Sequence, residues 1–177
     1  MTRILLALIA LTLASCVSTP SDQELLAGPN AVQHLTEGRP VDVPPALADF
    51  KATAPYSTRY DLVLTGRRAT FRVAGPQPIF LSAYPSSGIK LYRLERGVEK
   101  DDRNLKVRAR TESLTLVLEI PTDVWVEVES SREGDGLYRV APRAPLPPGE
   151  YAFMSQADNE RWQKYPLKVR LYSFGVD

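Results

Sequence analysis

From Tyr60 onward the chain alternates. Leu105, Val107 and Ala109 alternate with Lys106, Arg108 and Arg110. Leu114, Leu116, Leu118 and Ile120 alternate with Thr115, Val117 and Glu119, and Val124, Val126 and Val128 with Trp125, Glu127 and Glu129. Side chains of a strand point to opposite faces in turn, so a period of two describes a half-buried strand and fits no helix. Shorter stretches behave alike: Tyr60 to Leu64, Ala69 to Val73, Ile79 to Tyr84, Ile89 to Leu94, Leu137 to Ala141, Tyr151 to Ser155 and Leu167 to Phe174. Turn residues separate them, at Thr65 to Arg68, Ser86-Ser87-Gly88 and Gly134-Asp135-Gly136. Many short strands at spacings of about 8–12 residues argue for an antiparallel sandwich or barrel. The expectation is an all-β, antiparallel β-sandwich of about 8–10 strands, forming one domain over 56–177 with no second domain after the last strand. No helix-period segment of useful length stands out. Apolar residues make up 44% of the 177, enough for a core.

The first sixteen residues are of another kind. Arg3 is followed by an apolar run, Ile4 to Leu11, extended by Thr12, Leu13 and Ala14. Eleven residues of helix rise roughly 16 Å, about half a hydrocarbon core, so a secretory signal fits better than a membrane span. Leu13-Ala14-Ser15-Cys16 resembles the lipobox of bacterial lipoproteins. That resemblance implies a signal peptide over 1–15, diacylglycerol on the Cys16 thiol, and Cys16 as the acylated mature N-terminus. Two or three acyl chains anchor a protein durably where one does not. The residues after Cys16 are Val17 and Ser18. In Gram-negative lipoproteins Asp just after the Cys signals inner-membrane retention, so the resemblance implies the outer membrane, with the domain in the periplasm or at the cell surface. Cys16 is the only cysteine. An intramolecular disulfide is thereby excluded and, with a single histidine, so is a Cys/His zinc site. Removal of 1–15 takes away Arg3 and leaves a chain close to neutral, so bulk nucleic-acid binding is not expected.

Residues 16–55 read as the lipidated Cys and a Pro-rich tether, with Pro20, Pro29, Pro40, Pro44, Pro45 and Pro55 and no sustained apolar period. As a coil this stretch would reach ~35 Å on average. The alternative is that Val41 to Phe50 packs on the domain as an ordered arm.

Leu146-Pro147-Pro148-Gly149-Glu150-Tyr151 precedes the penultimate strand. Pro148-Gly149 suits a type II turn with positive φ at Gly149. The segment resembles the corner of immunoglobulin-like domains, where a Tyr hydroxyl folds back onto nearby backbone. An ordinary hairpin turn with a core Tyr is the other reading. With the ending Leu171-Tyr172-Ser173-Phe174-Gly175-Val176-Asp177, it also resembles a bacterial envelope β-sandwich domain, which implies no particular activity.

Candidate chemistry is sparse. His34, the only histidine, falls in the tether and is expected to be a solvated loop residue, which leaves a serine nucleophile without its usual base. Glu127 and Glu129 sit two residues apart, roughly 7 Å along a strand, with Trp125 on the same face as a sugar platform. A solvated sheet face gives the same alternation. Asp101/Asp102 and Asp158/Glu160 lack metal-ligand spacing, and no cofactor motif is visible. Lys106, Arg108 and Arg110 place three cations on one strand face, suited to an anionic polymer such as peptidoglycan or lipopolysaccharide. They could equally pair with Glu127 and Glu129 or guard a sheet edge. The expected role is non-catalytic: binding or assembly beside another envelope protein, in plan similar to the type VI secretion lipoprotein. The alternatives are an anionic-polymer binder through the basic strand face, and a carbohydrate-active enzyme using Glu127 and Glu129.

Overall fold

A computed structural model describes residues 20–27, 31–53, 59–97, 101–112 and 115–177, without the side chains of 110–116. Cys16 and the signal segment lie outside the described residues. In chain order the elements are α1 (Asp22–Leu26), β1 (Val32–Thr36), β2 (Arg39–Asp42), β3 (Pro45–Ala52), β4 (Arg59–Thr65), β5 (Arg72–Val73), β6 (Phe80–Ser82) and β7 (Ile89–Arg96). They continue with β8 (Asp102–Glu112), β9 (Thr115–Glu119), a 3-10 turn (Thr122–Val124), β10 (Trp125–Val126), β11 (Val128–Gly134), β12 (Leu137–Pro142), β13 (Gly149–Ser155), α2 (Gln156–Lys164) and β14 (Lys168–Val176).

The larger sheet closes on itself. Its strands run β7-β13-β14-β3-β4-β8, all antiparallel, and β8 returns to β7 through Glu95 opposite Asn104 and Arg96 opposite Arg103. The ring is a six-stranded barrel. Strands β9 and β10 extend it from β8 and β7, and the two-residue β5 pairs with β14 in parallel. A second sheet, β11-β12-β6-β1-β2, makes its own antiparallel ladder. The single-domain expectation holds, and the fold is nearly all-β and antiparallel apart from the short β5–β14 pair. However, 14 strands are described against the expected number of about 8–10, because several are two- to four-residue segments. The sandwich gives way to a barrel, because β8 returns to β7 and closes the larger sheet, while the second sheet packs over β7, β13 and β14.

Two cores follow from this arrangement. Leu62, Leu64, Leu105, Val107, Ala152, Met154, Val169 and Leu171 fill the barrel, and Trp162 of α2, 1% exposed, plugs one end. Phe80, Val140, Phe153, Tyr172 and Phe174 pack between barrel and second sheet, with the Phe80 and Phe153 rings 4.9 Å apart. β13 and β14 are therefore buried on both faces.

The tether expected over 16–55 fails where it is described. Residues 32–52 form β1, β2 and β3, and β3 is a stave of the barrel between β14 and β4. The prolines do not oppose this: Pro40 lies on the exposed edge strand β2, and Pro45 is the first residue of β3. Glu37-Gly38 joins β1 to β2 with positive φ at both residues, the backbone of a two-residue hairpin. Ordered structure starts earlier still: α1 has a Ser21–Glu24 capping box, its Leu25 is buried, and its Asp22 binds Lys168 Nζ at 2.6 Å.

At the Pro-Gly-Glu-Tyr corner, the Tyr151 hydroxyl donates to the Pro147 carbonyl at 2.7 Å, the folded-back contact the sequence suggests. Gly149 is not a left-handed turn residue; it is the first residue of β13.

Candidate functional site

β13 runs from Gly149 to Ser155, where α2 begins, so Trp162 and α2 close one end of the barrel. At the other end converge the last residues of β4 and β7, the first of β8 and β13, and the turn after β4. There the barrel opens into a depression of about 640 Å³, lined by Arg67, Arg68, Arg96, Arg103, Glu95 and Glu150 together with Leu94 and Gly149. Four arginines face two glutamates. The chain needs Gly97 beside this mouth, because an added Cβ would come within 2.8 Å of Asp102 Cβ and of Asn104 Oδ1.

Arg103 is the centre of the mouth. It points into the barrel beside Leu64 and is 5% exposed. Its Nε donates to the Gly66 carbonyl at 2.8 Å and Nη2 to the Thr65 carbonyl at 3.4 Å, which fixes the guanidinium plane. Nη1 stands 3.6 Å from Glu150 Oε2 but has no hydrogen-bond partner, although it is buried. Burial pushes the Arg103 guanidinium below the ordinary arginine range, and the Glu150 charge opposes that push. Glu150 is itself engaged elsewhere. It accepts the Ala69 N–H at 2.6 Å and Arg72 Nη1 at 2.5 Å, while Arg72 also grips the Asp177 carboxylate. The hydrogen bond to Asp177 is the main cause that raises Arg72, and Arg72 in turn lowers the Asp177 carboxyl. Arg67 lies 3.5 Å from Asp101 in an exposed pair, worth little in water. Glu95 is taken by Lys106 at 2.7 Å. Arg68 and Arg96 are exposed and carry no salt bridge among the described residues. A buried charge donor without a partner costs stability unless an acceptor completes it. Beside this guanidinium, Arg68 and Arg96 add exposed positive charge, a donor set whose chemistry suits an anion.

The residues singled out by alternation fall elsewhere. Lys106 and Arg108 stand on the outer wall of β8, Lys106 bonded to Glu95 and Arg108 opposite Glu119 and Arg59. Neither pairs with Glu127 or Glu129. Arg110 faces Val117 in the ladder, and its side chain lies outside the described residues. Glu127 sits where the chain leaves β10 for β11, exposed and 3.5 Å from Arg143. It lines a shallow groove with Trp125, 44% exposed, and Lys90, whose Nζ lies 5.5 Å above the indole. Glu129 does not line that groove. His34 is not solvated: it is 8% exposed, packed on Phe71 and Phe80, with Nδ1 2.9 Å from Thr36 Oγ1. Burial lowers its pKa. Asp158 is a structural carboxylate, bound by Arg170 Nε at 2.9 Å and by the Ser155 hydroxyl at 2.5 Å.

The mouth was invisible to periodicity. Its arginines come from a turn, one strand end and one inward-facing strand position. Only the Gly66-Arg67-Arg68 turn, next to a strand end, hinted at it in the sequence. Among the described residues no group of three or more His, Cys, Asp or Glu is placed to hold a metal, and no helix is long and apolar enough to cross a membrane. Comparison with known protein families, with curated proteins and with solved structures finds no match to this chain.

Proposed function

We propose that this chain is an outer-membrane lipoprotein, anchored through Cys16, whose periplasmic barrel works by binding an anionic ligand and not by catalysis. The observation that carries the binding role is Arg103 Nη1, buried and without a hydrogen bond, with Glu150 Oε2 no nearer than 3.6 Å, in a mouth that also presents Arg67, Arg68 and Arg96. The lipobox-like Leu13-Ala14-Ser15-Cys16 supports the anchor. The ligand class is the one suggested by the basic strand Lys106, Arg108 and Arg110, but the mouth is the better receptor. Lys106 is already committed to Glu95, whereas Arg68 and Arg96 are free of salt bridges among the described residues. A partner protein docking an acidic segment at the mouth would satisfy the same chemistry, which keeps an assembly role within this reading. Kinship with immunoglobulin-like domains rests on the Tyr151 corner alone.

Titration calorimetry with pyrophosphate and with soluble polyglutamate tests the reading. The double variant Arg68→Glu/Arg96→Glu removes two charge-assisted contacts and should weaken binding at least about tenfold. Arg108→Ala, on the outer wall and away from the mouth's carboxylates, should leave binding within about twofold, as an exposed wall charge contributes little. The reverse ranking would return the ligand to the strand face, and no binding of either anion would refute the mouth as a receptor.

A further inference from the structure

The mouth and the start of the described chain lie at opposite ends of the barrel. Asp22 of α1 binds Lys168, the first residue of β14, and Lys168 also lies 3.8 Å from Asp49 near the end of β3. The arginine mouth is at the far end, where Gly175 near the end of β14 pairs with Glu150 and Arg72. From Lys168 to Gly175 the strand covers about 23 Å, or roughly 18 Å along the axis of a barrel whose strands tilt by about 40°. Four residue steps separate Cys16 from Pro20, the first described residue, and they span at most about 14 Å.

We infer that the mouth faces away from the bilayer that holds Cys16 and takes the carboxylates of peptidoglycan; this rests on the anion-binding and lipid-anchor reading above. A linker of at most about 14 Å is too short to run the roughly 18 Å length of the barrel and set the far end flat on the same membrane. The phosphate headgroups of the anchoring leaflet are therefore out of reach of Arg103, Arg68 and Arg96. The ligand must be anionic and must stand off from that membrane by the height of the domain. For a periplasmic domain hung from the outer membrane, the polymer in that position is peptidoglycan, whose stem peptides end in carboxylates. Arg103 offers one fixed N–H edge through Nη1, since Nε and Nη2 are spent on the Gly66 and Thr65 carbonyls. One carboxylate oxygen completes that edge, and the exposed Arg68 and Arg96 side chains can gather the neighbouring charge.

The test uses the full lipidated protein, with acylation of Cys16 confirmed by mass spectrometry, in vesicles of zwitterionic phospholipid mixed with purified peptidoglycan sacculi. Wild-type vesicles should sediment with the sacculi, and Arg68→Glu/Arg96→Glu should cut this at least about tenfold. Vesicles made strongly anionic should sediment as well as neutral ones, because the mouth does not see its own bilayer. Loss of sedimentation from anionic vesicles would overturn the orientation. Protein that binds pyrophosphate but not sacculi would overturn peptidoglycan as the ligand and leave the anion site standing. Protein that binds neither anion would bring down the proposed function itself. An unmodified Cys16 would remove the anchor, and the orientation with it.

Discussion

Asp158→Ala should be among the most damaging single changes in the molecule. Asp158 is 2% exposed and sits in the first turn of α2, where Ser155 caps its N–H at 3.1 Å. Its carboxylate is the hydrogen-bonding partner of Arg170, which is 6% exposed and already carries an unpartnered Nη1. Deleting the carboxylate leaves that guanidinium buried without its counter-charge, at a cost of about 3–5 kcal/mol. For a domain of this size that corresponds to a fall in Tm of roughly 6–20 °C. The Ser155 hydroxyl loses its bond to the carboxylate but still accepts the residue-158 N–H, so most of the loss belongs to the charge and the lesser part to the helix terminus. Replacing both partners, Asp158→Leu with Arg170→Met, removes the stranded charge and should recover most of the loss. Urea unfolding followed by tryptophan fluorescence, in which buried Trp162 changes environment more than half-exposed Trp125, measures all three proteins. A single variant that loses less than about 1 kcal/mol, or a double variant no better than the single, would refute the argument.

Gly175→Ala should destabilise by about 1–3 kcal/mol and weaken anion binding, since its Cβ would fall 1.6 Å from Arg72 Nη1 and drive Arg72 off Glu150; thermal unfolding and calorimetry read the two effects. Tyr151→Phe should cost about 0.5–1.5 kcal/mol, seen as a lower urea midpoint, by removing the hydroxyl bond to Pro147. His34 has a folded pKa below its ordinary 6.5 because it is buried. As pH falls below about 6.5 the unfolded chain binds a proton that the folded chain refuses, so stability declines until the folded pKa is passed and then levels. His34→Gln should flatten that part of the urea-midpoint curve, and an unchanged slope would clear His34 of the effect.

The alternation that dominates the sequence does mark strands. Tyr60 to Leu64, Ile89 to Leu94, Leu105 to Ala109 and Leu137 to Ala141 each fall within β4, β7, β8 and β12. What alternation does not carry is closure. Nothing in β7 or β8 announces that Glu95 will meet Asn104, and the barrel depends on that short ladder. β3 escaped because two of its three inward residues, Ala46 and Ala48 beside Phe50, are too small to show a period against Pro45 and Leu47. α2 escaped because Trp162 is its one large buried apolar residue, so a polar helix offers no 3.6-residue stripe. The arginine mouth is further from sequence still. Lys106, Arg108 and Arg110 are conspicuous because they are periodic, yet a periodic row spreads its charge along a wall. Arg67, Arg68, Arg96 and Arg103 have no common period and are concentrated only by the ends of strands meeting in space.

The pairing of β3 with β14 sets a constraint on how the molecule is made. Asp49 and Lys168 are partners across that ladder although about 120 positions separate them, and contacts of such long range make folding slow. A chain delivered N-terminus first offers β3 to its surroundings long before β14 exists to cover it. Until then β3 is an open edge ready to add a foreign strand. The barrel therefore has to be completed after its last stave arrives, and conditions that shield β3 during that wait should govern yield more than those that stabilise the finished fold.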